Sequence, residues 1–272
     1  MPSPTEITVP QLARLIGLPD APVLVDVCID EDFAADPRLI PSSFRHPFGD
    51  IGSLADQLTG KRVVVVCQKG KKISQGAAAI LRHLGVAAET LEDGIFGWRD
   101  AGLPLVPASK LPPRNPDGRT VWVTRQRPKI DRIACPWLIR RFIDPGAQFL
   151  FVAPPEVIDV ADKYAATPFD VEDVFWSHRG EACTFDTMLE EFALQTAPLM
   201  RLATIVRGAD TNRHDPAPEA AGLLAASLGL SRMYRDDLAQ LNAGVGLYDA
   251  FYRWSRDATD EGHDWPAALN RS

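Results

Sequence analysis

The segment Val63-Val64-Val65-Val66-Cys67 constrains this chain more than any other. Four consecutive β-branched residues favour extended backbone. Their unbroken apolarity, with no alternation between faces, requires cover on both sides, as in a parallel sheet wrapped by helices. The surroundings agree: VLVDV (Val23 to Val27) reads as a second strand, PQLARLIG before it as a helix, and ISQGAAAILRHLG from Ile73 as another. This alternation predicts an α/β fold with a parallel sheet flanked by helices. Open sheets of that kind bind ligands beyond the carboxyl ends of their strands, and Cys67 stands at such an end.

The stretch Cys67-Gln68-Lys69-Gly70-Lys71-Lys72 leads straight from strand to helix, so its backbone amides can converge on one point. A helix N-terminus and three lysines there make a positive field that favours a thiolate and holds a divalent oxyanion against it. The competing reading is a buried cysteine beside a solvated lysine run. Cys28, just past the neighbouring strand, is a candidate second thiol or an inert buried one. With Cys135 and Cys183 the four cysteines are scattered without a CxxC pair, which fits reduced thiols rather than a disulfide framework or a zinc ribbon.

Between Pro104 and Arg119 the chain is rich in proline and polar residues and lacks apolar periodicity, as expected of a linker. Beyond it the pattern predicts a strand over Thr120 to Thr124, a helix from Ile130 to Ile143 bent or begun by Pro136, and further helices. These cover Met188 to Ala193, Leu199 to Arg207, Glu219 to Leu228 and Asp237 to Trp254, and Thr187 with Glu190 has capping-box spacing. The second part is thus predicted to be a mainly helical α+β domain. Tyr248, Phe251, Tyr252 and Trp254 have the i, i+3, i+4 spacing of a core face rather than a base-stacking surface.

The second part also collects metal-binding residue types. Asp131, His178, Glu181 and Asp210 are candidate ligands, and their mixed oxygen and nitrogen donors suit manganese, iron or zinc. Arg125, Arg132, Cys135 and Glu219 are candidates for an adjoining pocket. His214 is a weaker member of the same group, set in what reads as a solvated turn. The competing account pairs the carboxylates with Arg132, Arg140 and Arg207. No organic cofactor is indicated.

A formal net charge of -7 over 272 residues argues against nucleic acid as a partner. No helix-turn-helix with clustered arginines accompanies it. The first ten residues lack a signal-peptide pattern and no apolar run reaches the roughly 18 residues of a spanning helix, so a cytoplasmic protein with no membrane partner is expected. Oligomeric state is left open.

Residues 5 to 106 resemble the rhodanese family. The matching features are Cys67 with Gly70 and Lys72 ahead of the Ala77-Ala78-Ala79 helix, Leu24 to Val27, Leu91 to Trp98, and Ala101 to Pro104. Lys72 stands where that family places an arginine, and Cys28 where an arginine commonly follows the Asp-Val pair. From Val121 to about Asp257 the chain resembles the C-terminal domain of the chromate-resistance ChrB-type family, through Trp122 to Arg125, Asp131 to Asp144, Phe175 with His178, Cys183 to Phe185, Ile205 to Asp210 and Pro218 to Ala220. These resemblances imply a rhodanese-like domain (1–108), a linker (109–118), a ChrB-type domain (119–258) and a tail (259–272).

They also imply a catalytic Cys67 that takes sulfur as a persulfide, with Gln68, Lys69, Gly70, Lys71 and Lys72 as its anion-binding loop. The partners implied are small sulfur donors, thiols or tetrahedral oxyanions. The alternative is a non-catalytic chromate or sulfate sensor or regulatory protein, and a transcriptional regulator is a weaker third reading.

Overall fold

A computed structural model describes residues 5–262. Most of the expected tail and the first residues of the segment read for a signal peptide lie outside the described residues. The order begins β1 (Glu6–Ile7), α1 (Val9–Ala13), β2 (Val23–Asp26), α2 (Asp30–Ala35), β3 (Arg38–Leu39), β4 (Phe44–Arg45), α3 (Ala55–Leu58) and β5 (Arg62–Val66). It continues with α4 (Lys72–His83), β6 (Ala87–Leu91), α5 (Gly94–Asp100) and β7 (Val106–Pro107). The strands β1-β6-β5-β2-β4 form one parallel sheet with the valine run of β5 at its centre, fully buried from Val63 to Val66. Double-sided cover is what the unbroken apolarity required.

The second part comprises β8 (Val121–Arg125), α6 (Asp131–Leu138), β9 (Gln148–Val152), α7 (Val157–Tyr164), β10 (Thr167–Pro168), α8 (Thr184–Glu191), α9 (Ala197–Asp210), α10 (Glu219–Met233) and α11 (Asp237–Asp257). Its strands form a second parallel sheet, ordered β10-β8-β9. Both sheets therefore present carboxyl ends at which loops can gather functional groups. Among the described residues no helix is long and apolar enough to cross a membrane.

Two local expectations are corrected. The helix predicted over Ile130 to Ile143 is an α-helix only from Asp131 to Leu138, then a π turn through Ile143. Pro136 inside α6 has no amide hydrogen to give the preceding turn, so the ladder is already interrupted. Thr187 does not cap a helix: α8 starts earlier, with Cys183 as its N-cap and Asp186 accepting the Cys183 amide at 3.0 Å, while the Thr187 hydroxyl donates to the Ser177 carbonyl.

The proline-rich stretch expected to link the two parts is anchored at several points. Val106 pairs with Leu39, Lys110 meets Glu191 at 2.6 Å, and Arg114 meets Asp144 at 3.3 Å. One buried hydrophobic cluster runs through both sheets. At its centre Trp137 contacts the rings of Phe142, Phe185, Tyr248 and Tyr252, which assigns the aromatics of α11 to the core. Gly17, at φ +82, packs so closely on Phe142 and Tyr252 that no side chain fits there.

Candidate functional sites at two sheet edges

Cys67 follows β5 directly and is nearly buried, at 5% exposure. Its loop rests on the start of α5. The Ile95 amide donates to the Cys67 carbonyl at 3.1 Å and the Phe96 amide to the Gln68 carbonyl at 3.0 Å. Gly70 and Gly94 meet backbone to backbone, both at positive φ, and a Cβ on either would lie under 2.5 Å from a main-chain atom of the other segment. The Leu91 to Trp98 motif is thus the floor of the cysteine loop.

Among the described residues, the amides from Gln68 to Ser74 donate to no carbonyl. They lie in the loop and the first turn of α4, where helix geometry leaves donors unmatched. Lys69, Lys71 and Lys72 are exposed around them. The Cys67 thiol donates to Ser74 Oγ at 3.1 Å, and that hydroxyl donates to the Lys71 carbonyl. Ser74 was missing from the candidates. Its only signal is its place one turn into the helix, which brings it back under the loop.

Cys28 has Cys67 for a neighbour, and its amide donates to Asp26 Oδ1 at 2.8 Å. Burial pushes its thiol well above the usual range, and Asp26 and Cys67 add to that. These effects oppose a thiolate there.

At the other edge, Asp131 opens α6, Asp170 follows β10, His178 lies in the loop before α8, and Asp210 ends α9. His178 Nε2 is 3.3 Å from Asp170 Oδ1, 3.4 Å from Asp131 Oδ2 and 3.5 Å from Asp210 Oδ2. The adjacent carboxylates of Asp131 and Asp170 carry the His178 imidazolium up to about 10, against partial burial. Burial pushes the Asp131 carboxyl up, and burial with the charges of Asp131 and Asp170 takes Asp210 up to about 7. Burial opposes ionisation of Asp170 as well, but His178, Arg132 and Thr184 outweigh it and hold that carboxyl low.

Three of the four proposed ligands, Asp131, His178 and Asp210, are brought together. Glu181 is not: it is exposed and, among the described residues, pairs with Arg213 alone, at 3.5 Å. Asp170 takes its place, a residue that sequence reading missed because an aspartate after a two-residue strand has no helical or motif spacing. The expected pocket is also corrected. Arg132 and Arg125 are engaged with Asp170 Oδ2 at 3.2 and 3.4 Å. Cys135 is sealed in the core with its thiol pushed well up by burial, and Glu219 begins α10 away from the cavity. The cavity that is present, about 540 Å³, is lined by His178, Gly180, Arg207, Gly208, Thr211 and Arg213 among others. Of the arginines in the competing ion-pair account, Arg132 alone reaches the cluster; Arg140 donates to Asn242 and Arg207 to Asp186. His214 stays outside the acidic group.

Comparison with known proteins places these edges in context. Residues 122–255 match the family described as ChrB, C-terminal domain. Protein ChrB of Cupriavidus metallidurans is 35% identical over 169 residues, which are 57% of this chain and 50% of that protein. The chain therefore spans about half the length of the curated relative it matches. Similar solved structures include a rhodanese-related protein from Thermoplasma volcanium (24% identical, TM-score 0.32), covering 37% of this chain and 96% of that one. A rhodanese-like domain protein from Staphylococcus aureus is 27% identical with TM-score 0.31, covering 35% and 90%. A thiosulfate sulfurtransferase from Pseudomonas aeruginosa is 24% identical with TM-score 0.34, covering 39% and 20%.

Proposed function

We propose that this chain, which carries a ChrB C-terminal domain, is a cytoplasmic chromate-resistance protein whose first part transfers sulfur through a persulfide on Cys67. The observation that supports this reading is the run of unmatched amides from Gln68 to Ser74 around a cysteine at the end of the central strand. An anionic sulfur species there finds donors already oriented, which is how fixed dipoles stabilise developing charge. In the first step the Cys67 thiolate attacks the outer sulfur of thiosulfate, forming a new S–S bond. The donor S–S bond breaks and sulfite leaves with its electron pair. An acceptor thiolate then takes the outer sulfur and frees Cys67 as thiolate. Ser74, which accepts from the thiol, can turn its hydroxyl to donate to the thiolate.

Incubation with thiosulfate followed by intact mass measurement tests this. A single added sulfur is expected in the wild type and none in Cys67→Ser. An adduct that survives that change removes the assignment. The near-complete burial of Cys67 favours a second reading, an oxyanion-binding loop without turnover. Saturable thiosulfate or sulfate binding with no adduct would support it.

A further inference from the structure

The strongest group outside the cysteine loop is the set of carboxylates around His178. We propose that Asp131, Asp170 and His178, with Asp210 beside them, bind one divalent transition-metal ion at the carboxyl edge of the second sheet, with manganese or iron(II) preferred. This inference is independent of the reading of Cys67.

The spacing supports a cation. One imidazole N–H serves one acceptor well, and charge-assisted hydrogen bonds run at about 2.7–2.9 Å. Here Nε2 faces three carboxylate oxygens at 3.3 to 3.5 Å, too far for any to be such a bond. Bonds of about 2.1 Å to a common ion separate adjacent ligand atoms by about 3.0 Å in an octahedral shell and about 3.4 Å in a tetrahedral one, close to the distances from Nε2 to Asp170 and Asp131. Ligand atoms of Asp131, Asp170 and His178 lie within 4.8 Å of one another.

A second observation points to a ligand. Asp131 is 1% exposed, yet its Oδ1 has no hydrogen-bond partner. A buried carboxylate oxygen without a partner is costly, and a cation bound by this carboxylate through Oδ2 would offset that cost.

Hydrogen bonds from neighbouring groups fix these donors in place, as they do for the ligands of metal sites. The Thr184 amide donates to Asp131 Oδ2 at 2.6 Å and the Thr184 hydroxyl to Asp170 Oδ1 at 2.9 Å. Arg125 and Arg132 hold Asp170 Oδ2, which leaves Oδ1 turned toward His178. Two hard carboxylate oxygens with one nitrogen suit manganese or iron(II), and the buried thiols of Cys135 and Cys183 stay outside the ligand group, which disfavours a soft-metal site. The ring of His178 is 42% exposed and borders the cavity with Arg207 and Arg213, so a small molecule can reach the ion.

The test uses full-length protein purified without a histidine tag, stripped with chelator and titrated with Mn2+ followed by electron paramagnetic resonance, with Zn2+ in parallel by calorimetry. One ion per chain is expected. Asp170→Asn and His178→Gln should each weaken Mn2+ binding at least tenfold while circular dichroism stays unchanged. Glu181→Gln and Cys67→Ser should bind as wild type. His178→Gln alters a half-exposed side chain, so it keeps the test decisive if Asp170→Asn fails to fold. Wild-type protein that binds neither ion, a His178→Gln variant that binds normally, or equal loss in Glu181→Gln would overturn the proposal.

Discussion

Replacing Gly94 with alanine perturbs the cysteine loop without touching the cysteine. Gly94 sits at φ +57, and a Cβ there would lie 2.1 Å from the Cys67 carbonyl oxygen and 2.4 Å from the Gly70 amide nitrogen. Because Cβ contacts below 3.0 Å essentially do not occur, the loop must retreat by roughly 0.9 Å. That retreat strains the hydrogen bonds from Ile95 to Cys67 and from Phe96 to Gln68. Losing both, at about 0.5–1.5 kcal/mol each, adds to about 1–2 kcal/mol for left-handed alanine, so the variant should be destabilised by about 2–5 kcal/mol. Gly102 provides the control: its φ is +69 and nothing lies within 4 Å of a Cβ there, so Gly102→Ala should cost only the conformational part. Urea unfolding compares their stabilities, and the rate of thiosulfate-dependent mass gain compares their loops. A displacement near 1 Å should slow sulfur uptake by on the order of a hundredfold in Gly94→Ala, with Gly102→Ala near wild type. Equal stability and equal rates in the two variants would refute the role assigned to the Gly70–Gly94 contact.

Two further outcomes are expected. Lys72 opens α4 while Lys69 is out in the loop, so Lys72→Ala should raise the thiosulfate concentration for half-maximal uptake severalfold more than Lys69→Ala, an effect that added salt should shrink; equal effects would count against an anion site at the helix start. Burial raises the Asp26 carboxyl despite its bond from the Cys28 amide, and Asp26 Oδ2 has no partner. The folded chain then keeps that proton to higher pH than the unfolded chain, so the contribution of Asp26 to stability falls as pH rises from about 4 through the raised folded value. Asp26→Asn should gain on the wild type across that window in urea melts, and a constant difference would contradict the sign.

The first sheet was legible because its signal is local. A strand buried on both faces must be apolar throughout, and the valine run satisfies this within one stretch of chain, which also places Cys67 at the edge. The residues around the cysteine were legible only in part. Lys69 to Lys72 follow it directly, whereas Ser74 depends on helix phase and the floor at Gly94 on a contact across the sheet edge. The histidine cluster was harder still, since Asp131, Asp170, His178 and Asp210 are spread over some eighty residues on four segments. Glu181 is an expected ligand because it flanks Gly180 together with His178, whereas Asp170 carries no such signal. The loop turns it outward to Arg213, and tertiary packing rather than spacing selects Asp170.

Left-handed backbone marks both edges, and at the second its purpose can be argued from its supports. Ile130, directly before Asp131, is held at φ +34 and ψ −98, an outlier for a β-branched residue that costs on the order of 1–3 kcal/mol. Helix α11 holds it there. The Tyr248 hydroxyl donates to the Ile130 carbonyl at 3.0 Å, the Gln240 side chain donates to the Pro128 carbonyl, and Asp237 accepts the Arg127 amide. Arg127 is itself at φ +58, and Asp170 at φ +52 is the same feature on a neighbouring segment. Relaxation of the Ile130 turn would swing the first residue of α6 and take the Asp131 carboxylate off the Thr184 amide. The aromatic helix α11, which packs in the core through Tyr248 and Tyr252, thus also supports the turn from which Asp131 departs.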